Sequence, residues 1–270
     1  MGENILNHQV KVSIIMGTHN DYGTIKECIA SIIKQDYVNW EFIICDDCSE
    51  INYFNLLKLI SKNDKRIKVI RNTKNRGLAF SLNRCLRISK GSLIARMDAD
   101  DVSYSNRLSM QVAFLDAHPE LCMVGSAMDI YDGDVDMGTR YNATVVERND
   151  FLTGNPFFHP TMLIRRYVFK NIGLYNTEVK RVEDLELWFR VYAKGYKGAN
   201  IQVPLYRYHE SKADYKKRTL SAAFDITKVF IRGYKKIQIS PIYYYRALRP
   251  IIAAIMPNLF LFFYHKKKLN

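Results

Sequence analysis

Four apolar runs of strand length, each divided from the next by a stretch of helical periodicity, occupy the first hundred residues and restrict the chain to few folds. Residues 10–16, 40–45, 67–70 and 92–97 read as strands. Between them, Ile25, Cys28, Ile29, Ile32 and Ile33 recur on one helical face, as do Phe54, Leu57 and Ile60, and then Leu78, Leu82, Cys85 and Leu86. Thr24 with Glu27 three residues on predicts a capping box for the first helix. A β-α-β-α-β-α-β order implies a parallel sheet with right-handed crossovers and helices on both faces.

In such a sheet ligands bind at the carboxyl ends of the strands, and three of these ends are polar. They are Thr18/Asn20, Asp46/Asp47 and Asp98/Asp100. Neither G-x-G-x-x-G nor G-x-x-x-x-G-K-[ST] is present, so a dinucleotide fingerprint and a P-loop are excluded. The sequence Met97-Asp98-Ala99-Asp100-Asp101 ends an apolar strand in three carboxylates. Packed charges of one sign favour a cation among them, and Asp98 and Asp100 are the hard oxygen donors that Mg²⁺ or Mn²⁺ prefers. An acidic turn capping the next helix is the alternative on spacing alone.

Further along, Leu108, Val112 and Leu115 mark a helix from Ser103, residues 121–127 a strand, 129–141 a hairpin and 162–164 another strand. A helix begins near Val182. Its spacing puts Asp184 in line with Leu187, Trp188 and Val191 on the inward face, with Glu186 and Arg190 as an exposed i,i+4 pair. An inward carboxylate at a helix start is a candidate general base, although a helix N-terminus favours negative charge in any case.

Taken together, these segments resemble the family 2 glycosyltransferases, inverting sugar-nucleotide enzymes of the GT-A fold, over roughly residues 10–210. Thr18-His19-Asn20 resembles the first nucleotide-contacting loop, although Met16-Gly17 replaces a proline-bearing turn and His19 stands where tyrosine is frequent. Asp46-Asp47-Cys48-Ser49 is similar to the segment whose second aspartate meets the base. Asn75-Arg76-Gly77, with Ala79 and Asn83, resembles the loop and helix at the nucleotide edge. Asp98-Ala99-Asp100 resembles the D-x-D motif that holds metal and diphosphate. His159-Pro160-Thr161 is similar to a family segment before the acceptor region, and Glu183-Asp184 to the motif whose aspartate is the base. Tyr206-Arg207-Tyr208-His209 resembles a late strand whose histidine approaches the metal.

The resemblance implies an α/β GT-A fold, a Rossmann-like and mostly parallel sheet with flanking helices. It implies a metal-dependent hexosyl- or N-acetylhexosaminyltransferase taking a nucleoside-diphosphate sugar, a UDP-sugar, as donor with Mn²⁺ or Mg²⁺. The acceptor is then a lipid-linked or growing saccharide in bacterial cell-surface polysaccharide synthesis. The site set is Asp184 as base, Thr18, Asn20, Asp47, Asn75, Arg76, Asp98 and Ala99 for the donor, and Asp98, Asp100 and His209 for the metal.

Composition bounds the partners. Of a net charge of +13 over 270 residues, +11 falls in residues 201–270, pointing to nucleic acid, an anionic membrane or an acidic substrate. The expected division is a catalytic domain over 1–211 and a basic helical, membrane-associating extension over 212–270. Within the extension, Leu220, Ala223, Phe224, Thr227, Phe230, Ile231 and Tyr234 share one face of an amphipathic helix at 212–236. An uncharged run at 250–264 precedes His265-Lys266-Lys267-Lys268 and is short for a membrane span. A helical subdomain packed on the enzyme's own core is the alternative. Five cysteines, an odd number without framework spacing, suit a reducing compartment, and Cys45-Asp46-Asp47-Cys48 lacks a second ligand pair for zinc. No basic region followed by an apolar run opens the chain, so no secretory leader is expected. The expected location is the cytoplasmic face of the plasma membrane. A sugar nucleotidyltransferase is disfavoured because residues 17–24 carry no Lys or Arg to hold a triphosphate. A nucleic-acid-binding module leaves the aspartates unexplained, so no nucleic-acid partner is expected.

Overall fold

The computed structural model describes residues 12–133, 135–210 and 219–255. The alternating pattern folds as β1 (Val12–Thr18), α1 (Ile25–Ile33), β2 (Trp40–Asp46), α2 (Ile51–Ser61), β3 (Ile67–Arg71), α3 (Leu78–Ile88) and β4 (Leu93–Arg96). β1 pairs in parallel with β2 and with β4, and β2 with β3. β1, β2 and β4 are buried on both sides because their side chains alternate between two cores, whereas β3 at the sheet edge leaves Lys68 exposed. Val12, Ile14 and Met16 join the core of α1 and α2, whereas Ile15 joins the opposite core with Leu82 and Cys85 of α3.

Beyond β4 the sheet becomes mixed. β8 (Leu163–Arg165) runs antiparallel to β4 and to β6 (Met123–Asp132). β9 (Gly198–His209) is parallel to β6, and β5 (Val102–Ser103) is antiparallel to β9. The path is β3-β2-β1-β4-β8-β6-β9-β5, with β7 (Val135–Arg140) paired to β6 as the expected hairpin. Because Val102 and Ser103 are drawn into pairing with β9, α4 (Arg107–Ala117) starts later than Ser103.

α5 (Arg166–Ile172) and α6 (Glu183–Ala193) follow, then α7 (Leu220–Lys236), a 3₁₀ segment (Pro241–Leu248) and α8 (Arg249–Ile255). Three local expectations are corrected. Thr24 caps nothing with its side chain: its backbone, at φ −117° and ψ −25°, lies in the helical basin, not the extended one a capping hydroxyl needs. The Glu186–Arg190 pair exists at 2.9 Å but is half-buried, because Arg190 also donates to the carbonyls of Ile172, Gly173 and Leu174. The apolar face of α7 is divided. Ala223, Thr227 and Tyr234 are buried against the enzyme, with Phe189 of α6 meeting Phe230 and Tyr234 edge-on, while Leu220, Phe224 and Ile231 stay exposed. Gly233 permits this approach, since a Cβ there would collide with the Phe189 ring. Residues 212–218 of the expected helix, and 256–268 of the expected apolar and basic tail, lie outside the described residues.

Candidate active site

The parallel register sets the ends of β1, β2 and β4 side by side. Thr18 stands opposite Asp46 and Ile15 opposite Arg96. The loops that leave these ends line a cavity of about 210 Å³ with Gly17, Thr18, His19, Asp21, Asp47, Leu78, Ser81, Asp98, Ala99 and Asp100. Gly17 is needed for closeness: a Cβ there would stand 3.0 Å from Leu78 and 3.1 Å from Ser81 of α3.

The aspartate loop is fastened by its backbone. The Asp98 N–H donates to the Tyr206 hydroxyl at 3.0 Å, the Tyr131 hydroxyl donates to the Asp100 carbonyl at 3.1 Å, and the Cys28 thiol donates to the Asp98 carbonyl at 3.2 Å. With the main chain held, the carboxylates of Asp98 and Asp100 turn to the cavity. Ligand atoms of Asp98, Asp100 and Asp101 lie within 4.8 Å of one another. Burial and then the neighbouring Asp98 charge push the Asp100 carboxyl up to about 6, and the same causes raise Asp101 well above the carboxylate range. Asp101 accepts the His209 N–H at 2.8 Å on one oxygen, while its other oxygen is buried without a hydrogen-bond partner. An all-oxygen donor set with surplus negative charge and an orphaned buried oxygen fits a hard divalent cation.

One countercharge is built in. Arg96, at the end of β4 and 4% exposed, forms an ion pair through Nη1 with Asp98, while its Nε has no hydrogen-bond partner. Ile94 faces the core that holds α6, so by strand alternation Arg96 points the same way. Its charge acts on both Glu183 and Asp184 and so links the aspartate loop to the start of α6.

At that start Val182 adopts a left-handed backbone, φ 54° and ψ 35°, strained for a β-branched residue. The turn sets Glu183 and Asp184 in the first turn of α6. The Asp184 carboxylate accepts a hydrogen bond from Asn155 Nδ2 at 2.5 Å. Burial raises the Asp184 carboxyl, and burial together with Asp184 raises Glu183 to about 7. A half-buried carboxylate that is oriented by Asn155 and raised by its surroundings is equipped to accept a proton from a hydroxyl.

A family model described as Glycosyl transferase family 2 matches residues 13–173. The chain belongs to glycosyltransferase family 2. This family 2 glycosyltransferase is 35% identical over 267 residues to the Bacillus subtilis (strain 168) protein EpsE, named as a glycosyltransferase, covering 98% of this chain and 96% of that one. It is 39% identical over 104 residues, 38% of this chain and 40% of the other, to the Escherichia coli UDP-Glc:alpha-D-GlcNAc-diphosphoundecaprenol beta-1,3-glucosyltransferase WfgD. S. aureus TarS in complex with UDP-GlcNAc matches its fold with a TM-score of 0.70 at 18% identity, covering 90% of this chain and 71% of that one. The Pyrobaculum calidifontis mannosyltransferase in complex with GDP-Man and Mn²⁺ gives 0.66 at 19% identity, with 97% and 81% covered. The fold is GT-A.

Among the site residues expected of the glycosyltransferase, Thr18, Asp47, Asp98, Ala99 and Asp100 line the one cavity, and Asn20, Asn75, Arg76, Asp184 and His209 stand outside its lining. The Thr18 hydroxyl donates to Asp21 at 2.6 Å. Asp47 accepts from Asn72 Nδ2 at 2.6 Å and from the N–H groups of Arg76 at 2.9 Å and Gly77 at 2.7 Å, so this carboxylate fixes the 72–77 loop. The Arg76 guanidinium lies over Phe80, 4.4 Å from its centroid. Asn20, with φ at 60°, accepts the Glu50 N–H at 2.9 Å and ties the first two loops together. His209 reaches the aspartates through its N–H, and its ring packs on Tyr131 at 5.4 Å. Asn83 faces away from the cavity and exchanges two hydrogen bonds with the Tyr175 backbone, 2.8 and 2.9 Å. Buried His159 bonds the Tyr175 hydroxyl through Nε2 at 2.9 Å.

Arg96, Asp101 and Asn155 were missed. Asp101 carried a signal, the third carboxylate of the run. Asn155 carried none, because its turn-forming Gly-Asn-Pro setting accounts for it without a site.

Proposed function

We propose that this glycosyltransferase moves a hexosyl or N-acetylhexosaminyl group from a UDP-sugar to a hydroxyl of a lipid-linked or growing saccharide, with inversion, in cell-surface polysaccharide synthesis. The observation that carries the reading is the pairing of two carboxylate groups, the aspartate loop at the end of β4 and Glu183-Asp184 at the start of α6, with Arg96 between them. The printed activities of relatives such as WfgD, a glucosyltransferase acting on a GlcNAc-diphospholipid, support the acceptor class.

Asp98 and Asp100, with His209 beside them, would hold Mn²⁺ or Mg²⁺. A cation held there would supply countercharge to the departing diphosphate. Asp184 accepts the proton of the acceptor hydroxyl as that oxygen bonds to the anomeric carbon. The bond from that carbon to the diphosphate oxygen breaks and its electron pair leaves with UDP. Asn155 holds Asp184 in one rotamer, so the proton-accepting oxygen is aimed before the acceptor arrives. Thr18, Asn20, Asp47, Asn75, Arg76 and Ala99 shape the nucleotide side.

Residues 1–211 form the catalytic domain in this reading, and residues 212–270 an extension that rests the enzyme on the cytoplasmic face of the membrane. No helix of the described residues is long and apolar enough to cross a membrane. Exposed Ile242, Tyr245, Ile252 and Ile255 supply apolar area beside Arg246 and Arg249, a combination suited to an anionic leaflet and not to nucleic acid. The test is transfer itself: UDP-sugars offered with a GlcNAc-diphosphoprenol acceptor and Mn²⁺ should give an inverted product that Asp184→Asn does not form at a comparable rate. Failure of every UDP-sugar, with transfer from another nucleotide sugar, would contradict the donor assignment.

A further inference from the structure

Among the described residues, none beyond His209 is tied to the aspartate loop, whereas a second hollow draws on the basic helix α7. A cleft of about 380 Å³ lies between residues 178–181 and α7. One wall presents Glu178, Lys180 and Arg181, the other Asp225, Lys228 and Arg232, so among the described lining residues four cations stand with two carboxylates. Lys228 stands 3.2 Å from Asp225 in an exposed pair. Such pairs are weak in water and yield readily to a stronger anion. Among the described residues lining this cleft none is aromatic, so none of them offers a platform for a base to stack on.

Two further observations say what kind of anion fits. α7 carries three stripes. Ala223, Thr227 and Tyr234 turn into the enzyme, Asp225, Lys228 and Arg232 line the cleft, and Leu220, Phe224 and Ile231 stand exposed at 47, 48 and 39%. Lys228 lies four residues after Phe224 and three before Ile231, so cation and apolar side chains are neighbours on the surface of one helix. The opposite wall also leads straight into the catalytic residues. Arg181 is followed by the left-handed turn at Val182 and then by Glu183 and Asp184. An anion held on this wall is therefore tethered a few residues from the base.

We infer that the cleft binds the diphosphate of the lipid-linked acceptor, with the start of the lipid along Leu220, Phe224 and Ile231 and the sugar directed toward Asp184. The inference rests on the transferase reading and adds to it the place where the acceptor is held. A flat anionic leaflet would need cations on a plane, whereas here they converge across a hollow beside an apolar stripe. Diphosphate joined to a lipid matches both parts at once.

The test uses the full-length enzyme and neutral phosphatidylcholine vesicles carrying one of three probes. These are GlcNAc-diphosphoprenol, the same prenol bearing GlcNAc without phosphate, and phosphatidylglycerol at a charge equal to the first. Sedimentation should show the enzyme bound at least tenfold more tightly to the diphosphate probe than to either other. Lys228→Gln with Arg232→Gln, both at exposed positions, should abolish that preference, and Lys235→Gln, outside the cleft, should keep it. Equal binding to phosphatidylglycerol, a preference that survives the double substitution, or displacement by an oligonucleotide would each overturn the inference. UDP binding with Mn²⁺, measured in parallel, separates the two levels. If it is intact and the diphosphate preference is missing, only the cleft assignment fails, and if both are missing the transferase reading fails with it.

Discussion

Asn155 Nδ2 meets the Asp184 carboxylate at 2.5 Å across a sequence separation of 29 residues. That hydrogen bond joins the loop after the β7 hairpin to the first turn of α6 and holds the carboxylate proposed as the base. Asp184→Asn should keep donor binding and lower turnover by roughly 10²–10⁴-fold, the worth of a general base. Asn155→Ala leaves the base present but unaimed. The expected loss is about 10- to 100-fold in kcat with little change in UDP affinity, and steady-state kinetics paired with calorimetry distinguish the two variants.

Glu183 gives folding a pH signature. Burial and the adjacent Asp184 raise its carboxyl to about 7, against an ordinary value near 4.5. Between those values the folded chain holds a proton that the unfolded chain releases, so this group makes folding less favourable as pH rises from about 4.5 to 7. Glu183→Gln should flatten that part of the melting-temperature profile. The acidic limb of kcat/KM should stay in place, because Asp184 raises Glu183 and not the reverse. A limb that moves would show that Glu183 is already charged when Asp184 loses its proton.

The packing of α7 on α6 can be tested by sign. Gly233→Ala in an isolated helix should stabilise by about 1 kcal/mol. Here a Cβ would strike the Phe189 ring, and overpacking of this kind usually costs about 1–3 kcal/mol. Chemical denaturation should therefore show net destabilisation, relieved in part when Phe189 is shortened to Leu.

Much of the fold was legible because the first hundred residues obey one period per element. Strand and helix signals alternate, and the buried faces of α1 and α3 are the ones the spacing indicates, save that Ile33 at the end of α1 is exposed. The aspartate loop was legible for a chemical reason, since like charges at the end of an apolar strand require an explanation. Asn155 and Arg96 were not, as their roles arise from chain segments distant in sequence meeting at α6. The face of α7 was read correctly as apolar, yet periodicity cannot say whether such a face meets lipid or the protein's own Phe189. The strand at β8 was legible, but its antiparallel pairing with β4 and β6 was not, because contacts distant in sequence set strand direction. β5, two residues long, is too short to display a period.

Membrane attachment calls for substitution, since truncation near Ser240 would strip core contacts. Ala247 is fully buried, and Arg249 Nη1 donates to the Leu152 carbonyl at 2.7 Å. Replacing exposed Ile242, Tyr245, Ile252 and Ile255 by Ser should leave the melting temperature nearly unchanged and lower retention on anionic vesicles. Retention equal to that of the unaltered enzyme would remove these side chains from the membrane surface.

The central claim, that Asp98 and Asp100 hold a divalent cation shared with the donor diphosphate, is tested most directly by titrating UDP into the enzyme in Mn²⁺ and again in EDTA. The account predicts an affinity at least tenfold higher with Mn²⁺, and loss of most of that gain in Asp100→Asn. Equal UDP affinity with Mn²⁺ and with EDTA would contradict it.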